Sequence, residues 1–223
     1  MERHFDQELQ RLRIKLLEMS GLVEQTVFKA VKILQTRNAA LVEEVYADDK
    51  KVDALEIAVD DLCVSLLALR QPMAVDLRFI VGAIKINNDL ERMGDHAVNI
   101  AECARNLAQE PPLPFNRDLF QMAEFSTRMM KESLDAFVSR DAGKAKGVCD
   151  QDDRVDGYKN RILNELLGAM AQDSKVISRA LSLILIARNL ERIADLSTNI
   201  AEETIFISEA RVIKHHAEDG EIT

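Results

Sequence analysis

The sequence predicts an all-α protein of two tandem, homologous three-helix bundles, six long helices in all, and three observations carry that prediction. Hydrophobic residues make up 47% and charged residues 30% of 223 positions, with only 8 Gly, 4 Pro and no Trp, which is the composition of long helices. Apolar residues recur at spacings of three and four along extended runs, the period of an amphipathic helix. The order of elements then recurs about a hundred residues later. A chain of this length makes one large domain or two small ones and buries a sizeable core without staples.

The first helix is marked by Leu9, Leu12, Leu16, Met19, Val23, Val27, Ala30 and Leu34. Asn38 is placed to cap the second, whose buried stripe is Val52, Leu55, Val59, Leu62 and Leu66. The Arg70-Gln71-Pro72 corner separates it from the third, because proline disfavours helix in the residue before it. The third carries Ile80, Ile84 and Leu90. Three of the four prolines, Pro111, Pro112 and Pro114, then fall within residues 109–117 and mark a linker. The domains are therefore drawn at 1–108, a first bundle, and 118–223, a second. In the second, a helix spans residues 118–139, Asp141 caps the next, and a break falls at 172–174.

The repeat is legible residue by residue. Residues 89–102 read DLERMGDHAVNIAE and residues 189–202 read NLERIADLSTNIAE, with eight identities in fourteen. Earlier in each half, Asp49-x-x-Val52-Asp53 matches Asp152-x-x-Val155-Asp156, and the caps Asn38 and Asp141 share the same offset.

Charge and motif content exclude several classes of function. The net charge is -9, with 38 acids against 29 bases and no basic run, so no nucleic-acid partner is expected. No stretch reaches the roughly 18 apolar residues that span a bilayer, so no direct membrane insertion is expected either. Cys63, Cys103 and Cys149 show no CxxC or zinc spacing, and the chain begins without a secretory pattern, so a reducing, cytoplasmic setting is expected. Cys63 and Cys103 read as inert core residues. No P-loop, GxGxxG, GxSxG or HExxH element is present, and His4, His96, His215 and His216 read as surface or terminal histidines. The methionines read as core fillers, with Met122, Met129 and Met130 also open to a partner face.

The carboxylates are the informative feature. Residues four apart on a helix are rotated by about 40°, so Glu91, Asp95 and Glu102 share one stripe, as do Glu191, Asp195 and Glu202. Each stripe continues an apolar one, where unpaired charge is costly. In so acidic a chain, one such pair alone reads as a solvated face. Register changes the weight. In an antiparallel hairpin, Asp53 pairs with Glu91 and Asp49 with Asp95, both centred on Pro72. Asp156 with Glu191 and Asp152 with Asp195 both centre inside the second break. Four carboxylates thus gather at one level of each hairpin, although the turns differ in length. Such oxygen-rich clusters suit iron, manganese, magnesium or calcium. Asn99 and Asn199, two turns beyond Glu91 and Glu191, are open to outer ligation or polar packing, with packing first.

These residues resemble a known family. The tandem LERxxDxxxNIAE segments, Asp49-Asp-Lys-Lys-Val-Asp53, Arg70-Gln-Pro-Met-Ala-Val-Asp-Leu-Arg78 and the terminal Arg211-Val-Ile-Lys-His-His216 are similar to those of the PhoU family of phosphate-signalling and phosphate-transport regulators, over essentially the whole chain. The resemblance implies a cytoplasmic, non-catalytic, six-helix protein, a homodimer, with metal clusters on the bundle surface. Its motif positions here are Asp49, Asp53, Glu91 and Asp95, then Asp152, Asp156, Glu191 and Asp195. Iron is the metal expected first, with zinc, manganese, magnesium and calcium open. The implied role is negative control of the phosphate regulon and of phosphate uptake, through the ATPase of a phosphate ABC transporter and a membrane sensor histidine kinase. The competing class is a carboxylate-bridged di-iron oxidase or metal store, which the lack of any ExxH disfavours. One departure stands out: Glu56 corresponds to Lys159 in the second half, so the second cluster is expected to hold metal less firmly.

Overall fold

A computed structural model describes residues 2–113 and 117–211. Pro114, and with it part of the predicted linker, lies outside the described residues, as do residues 212–216 of the terminal motif with His215 and His216. Among the described residues there are seven α-helices and no strand. Helix α1 spans Glu2–Thr36, α2 Val42–Arg70, α3 Ala74–Ala108, α4 Arg117–Ser139, α5 Ala142–Cys149, α6 Asp152–Gln172 and α7 Ile177–Glu209. Short 3-10 turns at Ala39–Leu41 and Ser174–Val176 lead into α2 and α7. The chain forms two tandem up-down-up bundles, α1–α2–α3 and α4–α5/α6–α7.

The apolar stripe of α1 drives its burial: Leu12, Leu16, Met19, Val23, Val27 and Ala30 are fully enclosed, and Leu9 and Leu34 nearly so. The helix ends where Arg37 turns left-handed (φ 58°) and its N–H bonds the Ile33 carbonyl at 2.8 Å. Asn38 accepts from the Ala40 N–H at 3.1 Å, so it caps the 3-10 turn ahead of α2 rather than α2 itself. Asp141 caps α5 by accepting from the Lys144 N–H at 3.0 Å. The corner after α2 forms at Gln71, which is left-handed (φ 46°).

Six of these helices are long, as the sequence predicts, and the seventh, α5, is a short addition. The helix matching α2 is interrupted at Asp150 and Gln151, leaving α5 as a separate short helix. The Gln151 amide donates to the Gly147 carbonyl at 2.8 Å and to Glu132 at 2.9 Å, so a side chain enters the i to i-4 ladder and the chain kinks there.

The two bundles share one core. Helices α3 and α7 pack along each other at the centre, α1 touches α4, and α2 and α6 lie outermost on their own bundles. The central approach is tight at Gly82, where a Cβ would fall 2.6 Å from Ile207 Cδ1. Lys85 of α3 pairs with the buried Glu203 of α7 at 3.0 Å, which offsets the cost of enclosing that carboxylate. His96 Nδ1 lies 2.9 Å from Asn189 Oδ1, so this histidine is half-buried between the bundles and not a surface residue. Met122, Met129 and Met130 are fully buried and are core, not a partner face. Cys63 is buried with its thiol pushed up to about 12, and burial likewise raises the Cys103 and Cys149 thiols.

Candidate metal centre

The register inferred for the hairpins places eight acids on the facing sides of α2 and α3 and of α6 and α7. In the first hairpin Asp49 and Glu91 are half-buried, while Asp53 and Asp95 are exposed. Burial, then the charges of Asp53 and Asp95, push the Asp49 carboxyl up to about 6. Burial, then Asp95, Glu56, Asp53 and Asp49, lift Glu91 to about 7. Glu56 is raised by burial, then by Asp60, Asp53 and Asp95. Five acids of two helices therefore feel one another's charge. Among the described residues none of Asp49, Asp53, Glu56, Glu91 and Asp95 forms an ion pair.

Two sequence details shape this cluster. Arg92 reaches Asp89, 3.6 Å away and one turn back, instead of Asp95. Gly94 lets the helices close: a Cβ there would fall 3.2 Å from Asp49 Oδ1 and 3.5 Å from Val52, so Asp49 lies directly over the α3 backbone.

The second hairpin has the same four acids and a different balance. Lys159 Nζ donates to Asp156 at 2.8 Å and to Glu191 at 2.7 Å, bridging α6 and α7. Asn189 stands where Asp89 stood, so Arg192 lacks that acid and donates instead to Asp195 at 3.0 Å. Asp152 is raised by burial, then by Asp195, Asp156 and Asp153, against a hydrogen bond from Thr198. Asp195 is raised by burial and Glu191, and Arg192 works against both. Ala194 replaces Gly94 and is fully buried.

As the side chains stand, no group of three His, Cys, Asp or Glu residues among the described residues closes tightly enough to hold an ion. That is compatible with carboxylates that sense one another, because charge acts over several ångströms whereas metal–oxygen bonds are about 2.0–2.6 Å. The donor set itself fits a hard or borderline cation in the first hairpin: oxygen ligands from both helices, raised proton affinity at Asp49 and Glu91, and no competing base. The second set fits less well, since Lys159 already occupies part of its charge. Glu102 is engaged elsewhere, accepting from Tyr46 Oη at 2.8 Å. Asn99 is exposed, and Asn199 lines a groove of about 400 Å³ beside Glu56, Asp60 and Lys85 of the other bundle. The matching groove of the second hairpin, about 240 Å³, is lined by Lys159, Leu163 and Arg188 at the places of Glu56, Asp60 and Asn88.

Sequence reasoning missed Asp60 and Asn87. Asn87 Nδ2 donates to the Glu56 carbonyl at 3.0 Å and to Asp60 at 2.9 Å, holding the acidic rim in place. The i,i+4 spacing of Glu56 and Asp60 was the available signal.

Comparison with known proteins supplies the family. The PhoU domain model matches twice, over residues 16–104 and 119–204. A phosphate-specific transport system accessory protein PhoU homolog of Aquifex aeolicus is 40% identical over 93% of this chain and 94% of its own length. One from Pseudomonas aeruginosa is 37% identical over 96% and 89%. The crystal structure of PhoU from Pseudomonas aeruginosa superposes with a TM-score of 0.90 at 38% identity, covering 93% of this chain and all of that one. The phosphate transport system regulatory protein PhoU from Streptococcus pneumoniae gives 0.85 at 30% identity, covering 94% and 99%. With two matched domains, relatives of this identity and a shared fold, the chain belongs to the PhoU family.

Proposed function

We propose that this protein is a regulator of phosphate transport that acts as a non-catalytic, metal-binding adaptor. It restrains the phosphate regulon and phosphate uptake by linking the ATPase of a phosphate ABC transporter to a membrane sensor histidine kinase, as a cytoplasmic homodimer. The observation that carries the reading is the duplicated, register-matched carboxylate hairpin in a chain whose relatives are named accessory proteins of phosphate transport. No described helix is long and apolar enough to cross a membrane.

In the first hairpin Asp49, Asp53, Glu91 and Asp95 would hold the metal, which would supply positive charge to offset theirs. Their mutual repulsion would be relieved and the two helices tied at that level. In the second, Asp152, Asp156, Glu191 and Asp195 form the weaker site, with Lys159 doing part of the same work. A di-iron oxidase draws ligands from four helices around a buried centre. Here each acid set comes from the two helices of one hairpin, which does not favour that alternative.

Deletion in the native host tests the regulatory reading. Phosphate-starvation genes should stay expressed in phosphate-rich medium. Unchanged reporter output, with no second copy present, would exclude it.

A further inference from the structure

The two bundles meet at a cavity of about 90 Å³ lined by Arg13 and Leu17 of α1, Phe79 of α3, Phe137 of α4, Arg140 just beyond it, and Thr204 of α7. It lies apart from both carboxylate hairpins and beyond the function proposed above. The guanidinium of Arg13 sits 5.0 Å from the centre of the Phe79 ring and that of Arg140 sits 5.7 Å from the same ring. Two like charges thus share one aromatic ring. Burial first, then Arg140, lowers the proton affinity of Arg13, with Asp76 acting in the opposite sense. The Nε of Arg13 is buried with no acceptor. Among the described residues neither guanidinium forms an ion pair.

The repeat shows that this is not the default fate of such an arginine. Arg37 occupies the position of Arg140 in the first bundle, and both are left-handed, with φ 58° and 54°. Arg37 uses its guanidinium to cap α3, donating to the carbonyls of Leu107 and Glu110. Arg140 makes no such bond and turns over Phe79 toward Arg13. The strained backbone is kept in both bundles, while only the second leaves its guanidinium without an acceptor.

The geometry points to an anion-binding site between the bundles, in which Arg13 and Arg140 grip a small tetrahedral oxyanion. Guanidiniums suit such an ion because their N–H groups form a fixed planar fork. The hydroxyls nearby do not contribute donors: Thr204 already donates to the Ile200 carbonyl at 2.8 Å and Ser208 to the Arg140 carbonyl at 3.3 Å. An enclosed orphan donor facing a second cation is relieved by one negative ligand. Because Arg13 belongs to the first bundle and Arg140 follows the first helix of the second, an ion held there ties the two together.

The test is calorimetric titration of the full chain with inorganic phosphate, and separately sulfate, at constant ionic strength, before and after treatment with a chelator. Saturable 1:1 binding of either ion is expected, unchanged by the chelator. Arg13→Gln and Arg140→Gln should each weaken it by about tenfold or more, the loss expected for one hydrogen bond to a charged group. Arg11→Gln, on the exposed side of α1, should not. Arg140 is exposed, so its variant separates lost binding from lost folding, with circular dichroism as the check. The site is overturned by absence of binding, by equal binding in all three variants, or by binding that disappears with the chelator and so belongs to the carboxylate hairpins.

Discussion

The two helical hairpins carry the same four acids at the same level, yet one is a cluster of uncompensated charge and the other is a salt-bridge network. Three exchanges between the repeats produce the difference: Glu56 for Lys159, Asp89 for Asn189 and Gly94 for Ala194. The first exchange places an ammonium between α6 and α7. The second releases Arg192 toward its own cluster, where Arg92 is held back. The third withdraws the space that Asp49 occupies over α3. If the hairpins bind metal as proposed, the duplicated unit keeps its donor set while residues beside the ligands tune each site's affinity for a cation.

The largest effect should come from removing ligands. Asp49→Asn with Glu91→Gln should abolish metal retention by the first hairpin, read by elemental analysis of protein purified without chelator. The matching pair Asp152→Asn with Glu191→Gln should cost far less metal. Equal losses would erase the distinction.

Exchanging the cations should move the balance. Opposite unit charges about 4 Å apart interact by roughly 4 kcal/mol at an effective dielectric near 20, and exposure reduces this to about a quarter, or about fivefold in affinity. Chelator titration should therefore strip the second hairpin first. Lys159→Glu should narrow the gap by about that factor, and Asp89→Asn, which frees Arg92 to reach Asp95, should narrow it from the other side. An unchanged order in both variants would show that these charges do not tune the sites.

A smaller effect concerns pH. Asp49 and Glu91 have folded values of about 6 and 7, above their ordinary 3.8 and 4.5. The native chain therefore binds more protons than the unfolded one between about pH 4 and 7, and its stability falls as pH rises through that window. Below pH 4 both states are protonated and the penalty is absent. In metal-free protein Glu91→Gln should raise the melting temperature at pH 7.5 and leave it unchanged near pH 4. Destabilisation at pH 7.5 would mean that the carboxylate has a favourable partner.

The smallest effect is expected at Gly94→Ala. Helix propensity favours the change by up to about 1 kcal/mol, while the new Cβ crowds Asp49 Oδ1 at 3.2 Å. Stability should hold or rise slightly as metal affinity of the first hairpin drops a few-fold. Ala194→Gly should leave the second hairpin's affinity nearly unaltered, since Lys159 dominates there.

Much of this could be read from the chain. Helical spacing located the buried face of α1 down to single residues, and the Pro72 midpoint set the facing pairs, because an antiparallel hairpin converts sequence distance from the turn into spatial level. Lys159 was legible as a departure from Glu56, and the structure points it into the cluster. What escaped depends on contacts between distant residues. The break between α5 and α6 arises from a side chain of ordinary helical type, Gln151, reaching a carbonyl one turn back. His96 reads as a surface residue until α7 brings Asn189 against it. The contrasting fates of Arg37 and Arg140 rest on which helix end or ring lies opposite, which no local pattern encodes.

We propose a ranking of the two hairpins as metal sites that is set by local charge and not by ligand identity. Its most direct test is anomalous diffraction from crystals of the full chain soaked with manganese or iron below one equivalent. Metal is expected between Asp49, Asp53, Glu91 and Asp95, with the site at Asp152, Asp156, Glu191 and Asp195 filling only as the concentration rises. Equal occupancy, or metal at the second hairpin first, would contradict it.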